Sequence, residues 1–200
     1  MPQYWTSSVN PGAPWQTASG TPLVTAATAT ISPEGAGGTG DDPQVFTWWQ
    51  GMVLRVRARG VYTNGSTATN ATFTVAASTV VPGTALSGGA NLATTGALAL
   101  PTSVTGFWWR LQAEIQVRAF AQGTATATMY THGELLIQTA TASGATGNVQ
   151  VWPMPATSGP TAANVDTTLA HTLGLVGTLS QATGSPSITC TSCVHEIVSG

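Results

Sequence analysis

In four segments between residues 45 and 138 the chain alternates apolar and polar positions with a period of two, the spacing of half-buried strands. From Met52 to Tyr62, Leu54, Val56, Ala58 and Tyr62 share one face, and Arg55, Arg57, Arg59 and Val61 share the other. Asn70 to Thr79 repeats the pattern with Ala71, Phe73, Val75 and Ala77. The strongest segment is Phe107 to Phe120, with Trp109, Leu111, Ala113, Ile115, Val117 and Ala119 opposed by Arg110, Gln112, Glu114, Gln116 and Arg118. Thr124 to Gln138 returns with Ala125, Ala127, Met129, Leu135 and Ile137 inward.

Turn chemistry predicts how these strands connect. Asn64-Gly65 has the two residues that a type I′ hairpin needs, because both central positions take positive φ. Ala121-Gln122-Gly123 closes a second hairpin, and a three-residue loop sets Ala119 opposite Ala125, Ile115 opposite Met129 and Arg110 opposite Glu134. Weaker strands are expected at Leu23–Ile31, Ala97–Leu100, Thr167–Val176 and Ser187–Val198. Residues 139–164 read as a long loop around Val149-Gln150-Val151-Trp152-Pro153, and loops of that length are functional or lie against something. The expected fold is all-β: an antiparallel β-sandwich of jelly-roll type over residues 21–200, preceded by an irregular N-terminal arm over residues 1–20. In the arm, Pro2, Pro11-Gly12, Pro14 and Gly20 interrupt Tyr4, Trp5 and Trp15, and such breakers argue against a strand or helix. Three large aromatics are not left in water, so the arm packs on its own domain or on a neighbour, and Tyr4, Trp5 and Trp15 are candidate partner contacts.

Composition narrows the function. Charged residues are 6% of 200, the net charge is −2, and all five basic residues are arginines. Without lysine there is no Schiff-base chemistry and no P-loop. Five cations are too few for a nucleic-acid groove, and no 18-residue apolar run spans a membrane. The N-terminus, Met1-Pro2-Gln3-Tyr4-Trp5, has no signal-peptide pattern, and two cysteines make no disulfide framework, so synthesis in a cytosol is expected. With 42% hydrophobic residues and seven Trp, the chain has the material of a core. Thr and Ala make up about a third of it, which keeps outer faces wet without charge and protects weakly against association. Surfaces covered by partners would explain this, and so would a biased genome.

Candidate chemistry is sparse. Cys190 and Cys193, three apart on a strand, are expected on opposite faces, and with His195 they fall short of four zinc ligands; no metal or cofactor is expected. In the register above Glu114 opposes Tyr130 and lies more than ~13 Å from Glu134, too far for a glycosidase pair. His132 is expected opposite Gln112, and His171 with Asp166 has no nucleophile elbow beside it, so no enzyme is expected. The stripe of Arg55, Arg57 and Arg59 either meets carboxylates of a partner or is simply solvated. Trp108 and Trp109 are adjacent, so one must leave the core. Trp109 fits the inward parity, leaving Trp108 as an interface anchor or a sugar-stacking platform.

The runs Leu54-Arg55-Val56-Arg57-Ala58-Arg59-Gly60, Trp109 to Arg118, Val165 to Leu173 and Ser187-Ile188-Thr189-Cys190 resemble a jelly-roll family of bacteriophage virion proteins, over roughly residues 45–198. The resemblance implies a small non-enzymatic structural protein of a phage head or tail, made in the host cytoplasm and resident in the virion. On that basis a capsid decoration protein is expected, with the major capsid protein and sister protomers of a homotrimer as partners. The alternative is a tail-tip or fibre module binding a host surface glycan.

Overall fold

The four segments of strongest alternation become the long strands of the structure, a computed structural model that describes residues 3–5, 15–16, 27–30, 50–78, 90–120, 127–140, 148–156, 161–165, 172–181 and 183–198. In chain order the strands are β1 Gln3–Trp5, β2 Trp15–Gln16, β3 Ala27–Thr30, β4 Val53–Asn64, β5 Thr69–Ser78, β6 Ala90–Thr94, β7 Leu98–Leu100, β8 Val104–Phe120, β9 Ala127–Gln138, β10 Val149–Met154, β11 Thr161–Val165, β12 Thr172–Leu179 and β13 Ser187–Val198. No helix occurs among the described residues. Two antiparallel sheets result. The larger runs β1-β13-β4-β8-β9-β10, with β2 also on β13 and β11 also on β9; the smaller runs β3-β12-β5-β6, with β7 also on β5.

The alternation decides what lies between the sheets. Leu54, Val56, Ala58 and Tyr62 of β4, the odd residues Trp109 to Val117 of β8, and Met129, Leu135 and Ile137 of β9 face Phe73 and Val75 of β5, Leu92 of β6 and Leu175 and Leu179 of β12 in one buried cluster. The Trp109 ring lies 5.0 Å from that of Phe73, joining the two sheets at the centre. Burying each side chain of this size contributes roughly 1.5–3 kcal/mol, and an all-β chain poor in charge has little else to hold it.

Local features depart from the sequence expectations. Asn64-Gly65 is not a hairpin: it carries the chain from β4 in the larger sheet to β5 in the smaller. Asn64 is buried and its amide donates to the Pro101 carbonyl at 2.9 Å, while Gly65, lacking a Cβ, packs directly on the Gly184 backbone. The pair serves a corner whose need is space rather than positive φ. The β8–β9 register is shifted by two, with Ile115 opposite Thr131, Gln112 opposite Glu134 and Arg110 opposite Leu136. Six residues, 121–126, separate the paired Phe120 and Ala127, not three, and an irregularity falls between Val117 and Ala119. The shift is even, so the inward residues from Trp109 to Val117 stay inward, whereas Ala119, expected inward, lies beyond the irregularity and is exposed. Residues 139–164 hold two strands: β10 covers β9 from Gln138 to Gly133, and β11 covers it from Thr131 to Ala127.

The arm also contains strand. Gln3–Trp5 pairs with Ile197 to His195 of β13, and Trp15–Gln16 pairs with Cys190 and Thr189. The first piece lies between Pro2 and Pro11 and the second between Pro14 and Pro22, so the prolines limit strand length without forbidding it.

Two outcomes are expected. Gly60 lies under the core Trp: a Cβ there would meet the Thr189 carbonyl oxygen and sit 2.7 Å from Trp109 Cζ2. Gly60→Ala should therefore destabilise by about 3 kcal/mol, read from urea unfolding midpoints. Tyr62, buried, donates its hydroxyl to the Gln138 carbonyl at 2.5 Å, and burial pushes its phenol from 10.0 up to about 12. Below 10 the phenol is neutral in both states; as pH rises towards 12 the unfolded chain ionises first and stability falls. Tyr62→Phe should flatten that alkaline loss in unfolding curves taken across the window, and an unchanged slope would assign the loss elsewhere.

Candidate partner-binding face

Strand alternation sends one set of side chains inward and the other onto the outer face of the larger sheet, and register aligns them in rows. Across β4, β8 and β9 one row is Arg55, Glu114, His132; the next is Arg57, Gln112, Glu134; the next is Arg59, Arg110, Leu136; β13 lies in backbone register beside them with Glu196, Val194 and Ser192. A fourth brings Val61 opposite Trp108. Strand β10 extends the last two rows with Val151 opposite Leu136 and Val149 opposite Gln138. Arg118 lies at the far end of β8 with its guanidinium over the Tyr130 ring, 5.7 Å from the centroid. All five cations of the chain thus lie on this one face.

The two halves of the face differ. In the lower half the charges are matched: Arg55 donates to Glu114 Oε1 from Nη2 at 2.6 Å and from Nε at 2.7 Å, and His132 Nε2 stands 3.8 Å from Glu114 Oε2. Arg118 donates to Gln116 at 3.3 Å. A shallow groove of about 430 Å³ runs there between Val53, Tyr130 and His132. In the upper half, Arg59 and Arg110 oppose each other across the β4–β8 pair, both exposed, with Ser192 and Leu136 as the flanking residues of their row. Like charges directly opposed on a sheet repel. Beside them Val61, Trp108, Val149 and Val151 stand in solvent, Trp108 at 40% and Val151 at 61% exposure. Arg59, Val61, Trp108, Arg110, Leu136 and Thr191 line a second groove of about 480 Å³. Its floor is fixed from below, since core Trp109 donates its indole N–H to the Val61 carbonyl at 3.3 Å.

The structure brings Arg55, Arg57, Arg59 and Trp108 of the sequence reading onto this face. Tyr4 lies in register with Glu196, in the row of Arg55, and Trp5 with His195; Trp15 lies opposite Cys190. The side chains of these three aromatics lie outside the described residues. Arg110, Leu136, Val149 and Val151 complete the upper half and were not singled out from the sequence. The sequence spacing pairs Arg110 with Glu134, and the segment of the two valines reads as loop. The signal for Val149 and Val151 was their alternation with Gln150 and Trp152.

Three chemical readings change. The carboxylates Glu114 and Glu134 lie on a diagonal of the hairpin, about 7–8 Å apart at the backbone, not beyond 13 Å. Separation therefore does not distinguish them from a glycosidase pair, and one of the two, Glu114, is ion-paired with Arg55. His132 faces Glu114 rather than Gln112. Cys190 and Cys193 do not diverge: the β13–β4 register slips at Thr191, whose hydroxyl donates to the Arg59 carbonyl at 3.2 Å, and the extra residue turns both thiols into the core. The hydrogen bond with Cys193 outweighs burial and holds the Cys190 thiol below its ordinary value. His171 and Asp166 lie outside the described residues.

No protein-family model matches the chain, and no curated protein matches it. Among solved structures, the CBM2 module of the evolved Dit protein of Lactobacillus casei BL23 phage J-1 is similar over 88% of this chain and 74% of that one, at 11% identity and a TM-score of 0.27. A likeness that distant carries nothing about function.

The lower-half ion pair is a small contributor by this geometry, with both side chains about a quarter exposed. Glu114→Gln should cost about 1 kcal/mol, and the difference should shrink in 1 M salt. A cost above ~3 kcal/mol would mark Glu114 as a structural keystone instead.

Proposed function

We propose that this chain is a non-enzymatic structural protein of a phage virion, a capsid decoration protein of jelly-roll class that docks by the outer face of its larger sheet. The observation that carries the reading is the composition of that face: every cation of the chain, with exposed Trp108, Val61, Val149 and Val151, in a protein whose charged residues are only 6%. Aromatic and arginine residues are the usual anchors of protein interfaces, and apolar patches rimmed by polar residues mark them. The virion assignment rests on the resemblance of the strand runs. The chain changes sheet at β2–β3, β3–β4, β4–β5, β7–β8, β11–β12 and β12–β13, connectivity of the kind jelly rolls use, and this supports that class. The partners in this reading are the major capsid protein and two sister protomers, a trimer fitting the threefold positions of a capsid lattice.

One observation favours the alternative of a tail-tip or fibre module binding a host glycan. Trp108 stands in a groove with Arg59, Arg110 and Thr191, an aromatic platform with polar neighbours. Labelling the protein in purified particles separates the readings. Label over the head is expected; a tail-only signal ends the decoration reading and supports the glycan module. On particles lacking the protein, Trp108→Ala should bind about tenfold more weakly or worse while its melting temperature stays near that of the parent. Unchanged binding removes this face as the docking surface.

A further inference from the structure

The outer face of the larger sheet contains a charge arrangement that the fold itself does not explain. Arg59 and Arg110 are direct cross-strand partners, both exposed, and neither has a hydrogen bond or ion pair from its guanidinium among the described residues. Opposing like charges lower the stability of the sheet, and a single substitution of either would relieve it. Two rows away Arg55 shows what a satisfied arginine of this face looks like, with two nitrogens on one Glu114 oxygen. In the row of Arg59 and Arg110 the flanking positions hold Ser192 and Leu136, so that row supplies no carboxylate.

We infer that the Arg59–Arg110 pair is the binding site for a carboxylate of a partner protein, with Trp108, Val61 and Leu136 receiving the apolar residues beside that carboxylate. This rests on the reading above that the outer face docks, and names the chemistry of what it docks to. Two guanidiniums on neighbouring strands converge on one anion, and each can present two N–H groups to it. The face also argues for protein over a polyanion. Glu114 and Glu134 interrupt the cations, and their charge repels a continuous phosphate or uronate chain; Val149 and Val151, exposed beside Trp108, add aliphatic surface that a side chain covers and a sugar ring or phosphate does not. A carboxylate flanked by apolar side chains, on a surface or an extended segment, satisfies both halves of the groove. Burying an aromatic beside a charge pair also excludes water from it, which strengthens the pairing.

The test uses the full chain and three fluorescent probes: a twelve-residue peptide alternating Glu and Leu, the same peptide with Gln for every Glu, and an oligouronate of similar charge. The acidic peptide should bind, the Gln peptide at least about tenfold more weakly, and the oligouronate more weakly than the acidic peptide. Arg59→Gln and Arg110→Gln should each weaken binding of the acidic peptide about tenfold or more, while their melting temperatures equal or exceed the parent's because a repulsion is gone. That opposite movement of affinity and stability is something a structural role would not produce. Arg110→Lys should restore part of the affinity, since it keeps the charge and loses the fork. Equal binding of the Gln peptide, or unchanged binding by the two Gln variants, overturns the inference. Preference for the oligouronate overturns it too, in favour of an acidic glycan. On particles lacking the protein, Arg59→Gln binding like the parent defeats the carboxylate site while leaving the docking face standing. Failure of the parent itself to bind defeats the virion reading, and the peptide series still decides the carboxylate site.

Discussion

Adjacent residues of a strand cannot share a face, and this chain sets two tryptophans in succession at positions 108 and 109. The core decides which goes inward. Trp109 fills the space between the sheets, against Phe73 and over Gly60, and its indole N–H is bound by the Val61 carbonyl. Once that ring is seated, Trp108 must stand outward, and so must Arg110 beyond it. The same parity on β4 puts Arg59 and Val61 out where Ala58 and Tyr62 are in. The make-up of the outer face is thus a geometric consequence of core packing, with the core Trp fixing where the outer one can be.

Charge follows the same division. A sheet whose inner face is almost wholly apolar and carries no ionised group among the described residues leaves its outer face as the place for charge, and the five arginines collect there. What distinguishes the rows is whether the sheet also brings a carboxylate. Arg55 receives Glu114 from the neighbouring strand, while Arg59 receives another arginine. Half of the face is therefore electrostatically closed and half is open, although both halves have the same strands and the same alternation.

Much of this was legible in the chain because period-two alternation is a strong signal wherever one face is buried. The inward sets of β4, β5, β8 and β9 follow directly from the pattern, and so do the outward positions of Arg55, Arg57, Arg59 and Trp108. What was not legible depends on single residues of backbone length. The β8–β9 register depends on the number of residues in the connection, and a change of two replaces every cross-strand partner without disturbing any face; that is how Glu134 came to be matched with Arg110. One inserted residue at Thr191 reverses parity along the rest of β13, which is why Cys190 and Cys193 meet although their spacing says otherwise. Asn64-Gly65 fits two local solutions, a hairpin and a corner, and only the partner strands choose between them. The strand at Val149–Met154 was concealed by Pro153, which reads as a terminator and turns out to lie within an outer strand.

That proline bears on how copies of this protein can meet. β10 ends the larger sheet, and the outer edge of a terminal strand is a row of backbone groups ready to pair with another molecule. Pro153 has no N–H to offer, and β9 on the inner side is shared end to end between two short strands rather than one long one. The border is short and broken where open-ended strand-to-strand growth would have to begin. Copies brought together side by side would meet at this border through side chains more readily than by extending one continuous sheet.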